Sequence, residues 1–387
     1  MKKNIGILGS TGSIGKSLLS IIDKEKQNYK IIFLSANKNY QLLLTQAIKF
    51  KVKHIIITEK KYFELAKKKN KKKDLKIYNN FQIFNKILKK KLDYVMSSIV
   101  GIEGLEPTIN IIRHTHKIAI ANKEAIICAW NLIQKELIKY KTKFLPVDSE
   151  HFSIWYALRN NKTYNISKIY LTASGGSLLN ISIGKYDLLD KKKILSHPNW
   201  SMGKKITIDS STLMNKVFEI IEAKKIFSIP YSKLSILIHP KSYVHALIQF
   251  NDGMIKIIAH DTTMKIPISN TLKDNSILNF KSNQINLLRL NNLDLQPVNI
   301  KKFKVVKILK HLPKIDSLFE TIVVSANDRL VELYLENKIK YRNIDNYLMN
   351  FLNKKECIRY KKICPKKISE IIKLNKYVRS KINFYYQ

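Results

Sequence analysis

The sequence predicts an α/β chain: an N-terminal parallel sheet doubly wound with helices, a central α+β domain and a C-terminal helical domain. Three observations carry this. Short runs rich in Ile, Val and Leu alternate with helical stretches through the first 147 residues. A glycine-rich turn, Gly9-Ser10-Thr11-Gly12-Ser13-Ile14-Gly15, joins the first run to the first helix. Beyond residue 165 the alternation gives way to shorter strands and a hairpin signal, and from about residue 301 few breakers interrupt a helical pattern.

The elements follow in order. Residues 4–9 read as a buried strand, and Lys16 to Asp23 as a helix with Leu18, Leu19, Ile21 and Ile22 on one face. Residues 31–35 form a second strand, 41–50 a helix and 54–58 a third strand. Residues 94–100, 118–121 and 144–147 continue the sheet. In the central part, residues 166–172, 206–208, 235–239, 245–250 and 254–258 read as strands of a mixed or antiparallel sheet, with Asn251-Asp252-Gly253 as a hairpin turn. Residues 275–300, rich in Asn, Ser and Leu, read as a linker. The division is a Rossmann-like dinucleotide-binding domain over 1–147, a catalytic domain over 148–274, the linker 275–300 and the helical domain 301–387.

Composition narrows the function. At 387 residues the chain exceeds one average domain, and 45% hydrophobic residues suffice for ordinary cores. No apolar run approaches the length of a membrane span. The start at Met1 leads straight into a strand, which leaves no room for a leader peptide, and Cys128, Cys357 and Cys364 lack metal-type spacing; both suit a reducing cytoplasm. The net charge of +41 resembles a nucleic-acid signal. Its lysines are spread along the chain, however, and accompany abundant Asn and Ile, as drift in an AT-rich genome would produce. No specific nucleic-acid partner and no membrane are expected.

The motifs carry chemistry. Gly9, Gly12 and Gly15 follow a strand and open a helix, so backbone N–H groups and the helix N-terminus can face a pyrophosphate, or simply form a tight turn. The second strand ends in Asn37-Lys38-Asn39, with no carboxylate to take a ribose hydroxyl. A lysine there suits the 2′-phosphate of NADPH, although a surface lysine is common in this chain. Asp148 and Glu150 stand two residues apart at a strand end, and Glu219 lies four residues after Asn215 on one helical face. Three hard oxygen donors without histidine or thiol suit Mg²⁺ or Mn²⁺. Ser174, before Gly175-Gly176, with Ser210, Asn215 and Lys216, are phosphate candidates. Of Ser210 and Ser211, one is expected to cap a helix and the other to meet a phosphate at the same terminus. His197-Pro198-Asn199-Trp200 reads as a loop whose Trp200 either covers a ligand or tucks against the surface. His239 and His245 read as structural, and Cys128 as a small buried residue.

Taken together, the glycine turn, Ala121-Asn122-Lys123-Glu124, Pro146-Val147-Asp148-Ser149-Glu150-His151, His197-Pro198-Asn199-Trp200-Ser201-Met202-Gly203 and Met214-Asn215-Lys216 with Glu219 closely resemble the 1-deoxy-D-xylulose 5-phosphate reductoisomerase family over essentially the whole chain. The resemblance implies NADPH- and Mg²⁺- or Mn²⁺-dependent conversion of that sugar phosphate to 2-C-methyl-D-erythritol 4-phosphate by a homodimer. It implies that Asp148, Glu150 and Glu219 hold the metal. It places Ser149, Glu150, Ser174, His197, Ser210, Asn215, Lys216 and Glu219 at the substrate, with Lys123 close to the reacting end. Thr11, Gly12, Ser13, Ile14, Asn37, Lys38, Asn39, Asn122, Glu124 and Gly203 would line the cofactor, and His197, Trp200 and Met202 would form a lid. The chain departs from the family pattern at Asn37, where a small residue is usual, at Ala173, where glycine is common, and at Ser196, where a basic residue is expected.

Overall fold

The computed structural model describes residues 2–159, 165–200, 202–273 and 285–386. The chain divides into two compact units: Met1–Ala125, Leu132–Asp148 and Met264–Lys281 in the first, and Ile126–Asn131, Ser149–Thr263 and Ser282–Gln387 in the second.

The first unit is built on β1 (Lys3–Leu8), β2 (Tyr29–Ala36), β3 (His54–Ile57), β4 (Lys76–Tyr78), β5 (Tyr94–Ser97), β6 (Lys117–Ile120) and β7 (Lys143–Pro146). They form one sheet in the order β4-β3-β2-β1-β5-β6-β7, and every pair is parallel. Ile55, Ile56 and Ile57 are all buried, as expected of a parallel strand covered on both faces. The crossovers include α1 (Ser13–Lys24), α2 (Tyr40–Lys49), α3 (Lys60–Lys69), α4 (Leu105–Ile112) and the start of α5 (Lys123–Lys139), which is interrupted at Ala129. The strand order reverses between β1 and β5, so their C-terminal ends make the crevice where doubly wound sheets take ligands.

The helix Lys265–Leu272, which the sequence places within the central domain, packs on α1 in this first unit. Its buried Ile268 and Leu272 need an apolar surface. Thr271 Oγ1 meets Tyr94 Oη at 3.0 Å, and Lys273 pairs with Glu25.

In the second unit, β8 (Ile166–Ala173), β9 (Leu234–Ile238), β10 (Val244–Phe250), β11 (Ile255–Ala259) and β12 (Gln296–Pro297) form a sheet in the order β11-β10-β8-β9-β12. It is mixed: β8 and β9 run parallel, while β10 is antiparallel to β8 and β11. The β10–β11 hairpin turns at residues 251–253, as expected, with the Gly253 N–H donating to Phe250 O at 3.1 Å. Against the sheet lie α6 (Ser149–Ala157) and α8 (Met214–Phe227), burying Ile154, Ile220 and Ala223 with Ile169, Leu171 and Ile248. The C-terminal helices α9 (Leu318–Leu335), α10 (Tyr341–Leu352) and α11 (Ile368–Tyr386) pack around a nearly wholly buried α9.

One expectation is corrected. Residues 206–208, read as a strand from their β-branched run, lie in the helix α7 (Lys204–Thr212). Local and tertiary partners together override propensity here: Thr207 Oγ1 donates to Gly203 O at 2.9 Å and Lys205 pairs with Asp209 one turn on, while Asn327 holds Asp209 from α9. The linker 275–300 falls partly outside the described residues. Its described part contains the short helix Leu287–Leu290 and β12, whose Gln296 pairs with Ile238 of β9. Among the described residues, no helix is long and apolar enough to cross a membrane.

Candidate active site

The glycine turn sits at the C-terminal end of β1. A Cβ at Gly15 would stand 2.5 Å from Ser10 Cα, so the turn and helix can close together only with glycine there. Ser10 is buried and bonded to Gln46 at 2.7 Å, which ties the turn to α2. Gly12 caps α1 with no side-chain acceptor for its first amides. Gly12 and Ser13 are exposed, and Thr11 and Ile14 half-buried, so the positive end of a three-turn helix faces outward. At the end of β2, Asn37, Lys38 and Asn39 are exposed. Asn37 Nδ2 donates to Thr58 Oγ1 at 2.8 Å, which gives its amide a bridge between strand ends that a small residue lacks. Asn39 caps α2.

Asn122 is buried at the head of α5 and its side chain is fully committed. Its oxygen accepts from Ala125 N at 2.7 Å, and its Nδ2 donates to Ile99 O and Gly101 O. Its side chain therefore helps to build the crevice wall. Glu124 is buried beside it. Lys123, also buried, reaches Asp148 Oδ2 at 3.4 Å.

Asp148 ends the first unit and is bonded directly to Ser149, the first residue of α6. Carboxylate oxygens of Asp148, Glu150 and Glu219 lie within 4.8 Å of one another. Glu150 comes from the first turn of α6 and Glu219 from the buried face of α8, and Lys216 bridges them: its Nζ is 2.9 Å from Glu150 Oε1 and is ion-paired with Glu219 Oε2. Asn215 Nδ2 donates to Glu219 Oε1. Ser149 Oγ donates to Glu150 Oε2 at 2.6 Å. Behind this group, His151 Nε2 donates to the backbone carbonyl of Glu219 at 2.9 Å and clamps α6 to α8. Gathering three carboxylates with Glu219 almost wholly buried is costly unless positive charge compensates. An all-oxygen donor set fits a hard divalent cation.

A second group forms around Ser174. Gly175 and Gly176 adopt positive φ, and a Cβ at Gly176 would stand 2.5 Å from Ser211 Cα, so this loop lies directly against the end of α7. Ser210 and Ser211 do not cap a helix N-terminus; they occupy the last turn of α7, before Leu213 reverses the chain with φ 65°. Ser211 is used structurally, bonded to Ile208 O and to Tyr341 Oη at 2.8 Å, whereas Ser210 is half-buried at the loop. His197 Nε2 lies 2.8 Å from Ser174 Oγ, and its Nδ1 accepts from Asn199 N and Trp200 N. Burial pushes the His197 imidazole down to about 4, so it is neutral near pH 7 with the proton on Nε2.

Trp200 and Met202 are half-buried and Gly203 is exposed. The segment is tied down by Asn199, whose Nδ2 donates to Pro240 O at 2.5 Å and Ser242 Oγ at 2.9 Å. Asn199 stood in the sequence motif without a role; only the fold reveals its partners, which are more than forty residues away. Ala173 is buried and its carbonyl accepts from His239 N, and Ser196 is exposed.

The comparisons agree over the whole chain. Residues 5–130 match the model of 1-deoxy-D-xylulose 5-phosphate reductoisomerase, residues 144–227 its C-terminal domain, and residues 261–381 the DXP reductoisomerase C-terminal domain. The 1-deoxy-D-xylulose 5-phosphate reductoisomerase of Pelagibacter ubique is 54% identical over 383 residues, covering 98% of this chain and 99% of the relative. The chain belongs to this family. The Clostridium kluyveri member is 37% identical, covering 98% of this chain and all of its own. Among solved structures, DOX-P reductoisomerase in complex with NADPH, fosmidomycin and magnesium superposes with a TM-score of 0.91 at 29% identity, covering 99% of this chain and 98% of that one. The Zymomonas mobilis reductoisomerase in complex with NADPH gives 0.88 at 26%, with both chains fully covered. The family's fold, a doubly wound sheet with a second sheet and a C-terminal helical region, is the one described above.

Proposed function

We propose the residue roles by which this chain carries out its family's reaction, the NADPH- and divalent-metal-dependent rearrangement and reduction of 1-deoxy-D-xylulose 5-phosphate to 2-C-methyl-D-erythritol 4-phosphate. The observation that carries this reading is the convergence of Asp148, Glu150 and Glu219 with Lys216 and Asn215.

Asp148, Glu150 and Glu219 hold Mg²⁺ or Mn²⁺, which when bound supplies Lewis acidity toward the substrate's ketone and hydroxyl oxygens. Lys216 and Asn215 orient these carboxylates and donate to substrate oxygens beside them. Lys123 presents its ammonium next to Asp148, where it meets the reacting end of the substrate. Ser149 donates to Glu150 and orients its carboxylate. The glycine turn, the head of α1 and Lys38 hold NADPH, which when bound supplies hydride to the rearranged aldehyde. Thr11, Gly12, Ser13 and Ile14 cradle the pyrophosphate with their backbone, and Asn37, Asn39, Glu124 and Gly203 complete the cofactor's surroundings.

Ser174 and Ser210 take the substrate phosphate. Ser174 Oγ accepts from both His197 Nε2 and Gly176 N, so its own proton is left to donate to an anion. His197 thus acts by aiming Ser174 and by shaping the backbone under Trp200, rather than as a cation on the phosphate. Phosphate binding far from the reacting carbons contributes affinity that the reaction step can use. Trp200 and Met202 form the lid that excludes water from the reactive fragments.

Two further points complete the reading. The assembly is a homodimer, for which β11 offers a surface: it is a sheet edge, and Ile255 and Ile257 on it, with Met254 just before it, are exposed. The three cysteines form no disulfide, which suits a reducing cytoplasm. Ile257→Lys is expected to convert the dimer to monomer in sedimentation; a monomeric parent protein refutes the dimer.

The deciding experiment follows NADPH oxidation by purified protein with 1-deoxy-D-xylulose 5-phosphate and Mg²⁺, with and without chelator, and identifies the product. Chelator-sensitive formation of 2-C-methyl-D-erythritol 4-phosphate is expected. NADPH oxidation yielding a simple reduced pentitol phosphate would mark a related reductase that lacks the rearrangement.

A further inference from the structure

Four aromatic rings stand in a row within the second unit. The Trp200 indole meets the His245 imidazole edge to face, with centroids 6.2 Å apart at 74°. His245 stacks on His260, with centroids 3.8 Å apart and planes within 16°. His260 meets Phe152 of α6 at 6.3 Å and 65°. His245 is buried in β10, whereas His260 follows the end of β11.

Backbone carbonyls orient both imidazoles. His245 Nε2 donates to His260 O at 3.2 Å, and His260 Nδ1 donates to Asp261 O at 2.8 Å. Among the described residues, the buried Nε2 of His260 has no hydrogen-bond partner. What His260 offers its neighbour is therefore its flat face. That face covers one side of His245, and Phe152 packs against His260 in turn. The stacked ring and the carbonyl bond together hold the His245 imidazole where Trp200 meets it.

We propose that His260 is a positioning residue that fixes His245 as the seat for Trp200, so that the segment covering the sugar phosphate lands in one place. The inference rests on the lid reading above, and it explains why a residue outside every recognised motif is stacked so closely on a histidine that contacts the lid. The ring's plane carries the effect; its proton does not.

The test compares His260→Ala with His260→Phe, which keeps a flat ring, in the full-length enzyme. An aromatic contact of this kind contributes about 0.5–1.5 kcal/mol, so His260→Ala is expected to raise KM for the sugar phosphate about 2- to 12-fold, with KM for NADPH moving less than about twofold. His260→Phe should restore the parent KM. The Trp200 emission, isolated by subtracting the spectrum of the matching Trp200→Phe protein, should shift to the red in His260→Ala and not in His260→Phe, without any ligand. If His260→Ala does not fold, His260→Gln replaces it with a side chain of similar size and no ring. Unchanged KM and emission in the ringless variant overturn the proposal, as does a His260→Phe protein as impaired as His260→Ala. The emission needs no turnover, so a red shift in a protein inactive on this substrate would leave the seat standing and remove the functional reading. Full activity with no shift would do the reverse.

Discussion

His197 donates from Nε2 to Ser174 Oγ across 2.8 Å, and this bond determines what both side chains can offer a ligand. Nδ1 already accepts two backbone N–H groups, so the ring is saturated only when neutral. Protonating Nδ1 would set an N–H against both of those donors and open the turn that carries Trp200.

The pH dependence follows from the sign of the shift. His197 is held at about 4 by burial, below its ordinary value near 6.5. In the window between those values the unfolded or opened segment binds a proton that the closed segment does not, so stability is lost as pH falls from about 6.5 toward 4 and falls no further from this source below it. Above pH 7 the contribution is fully present and constant. The loss is expected to be on the order of 1–3 kcal/mol. Comparing thermal melts of the parent and His197→Gln from pH 8 to 4 checks it: the gap between them should narrow on acidification, and a constant gap would count against a depressed histidine.

Glu219→Gln should leave the fold intact and abolish most activity. Glu219 is buried, bonded to Asn215 and Lys216, and is one of three carboxylates within reach of a common ion. Losing a direct ligand should weaken Mn²⁺ binding by at least the 10- to 100-fold or so seen on removing an indirect one. Titration calorimetry with Mn²⁺ measures this apart from turnover. Near-parental affinity in the variant would remove Glu219 from the metal set.

Lys38 predicts cofactor choice. It is exposed just after β2, where Asn37-Lys38-Asn39 include no carboxylate to take a ribose hydroxyl. Lys38→Ala should cost about 1.5–3 kcal/mol of NADPH binding and leave NADH binding nearly unchanged. Equal use of both cofactors by the parent protein would refute the assignment.

How much of this was legible in the sequence depends on how local each signal is. All the parallel strands but β4 were readable because each is a short apolar run bounded by a turn, as His54–Ile57 is; β4, Lys76–Tyr78, is a three-residue edge strand with no buried residue and gives no such signal. The same rule misread residues 206–208, where Ile-Thr-Ile promises a strand but the Asp209 partners at Lys205 and Asn327 require a helix. The carboxylates were recognisable as hard ligands, yet the bridge from Lys216 to Glu150 spans 66 positions and exists only once α6 and α8 pack. Asn122 shows the opposite limit: its place in a motif says nothing of whether its amide faces a ligand or, as here, is consumed by Ala125, Ile99 and Gly101.

Trp200→Ala separates a lid from a core. The indole is half-buried and meets His245 by its edge, in a segment held at one point by Asn199 and at another by His197. A Trp packed wholly in a core would cost about 3–5 kcal/mol on truncation. Trp200 should cost much less, because its neighbours on one side are solvent and the backbone turn beneath it is kept by His197. Turnover should suffer more than stability, since the water-excluding cover over the substrate is lost while the fold remains. Thermal melts of the variant, read beside its NADPH kinetics, decide the matter. A melting temperature close to the parent's with a steep loss of turnover supports the lid. A large drop in melting temperature, with activity per folded molecule preserved, would place Trp200 among the residues that hold the domain together and leave the site without a cover.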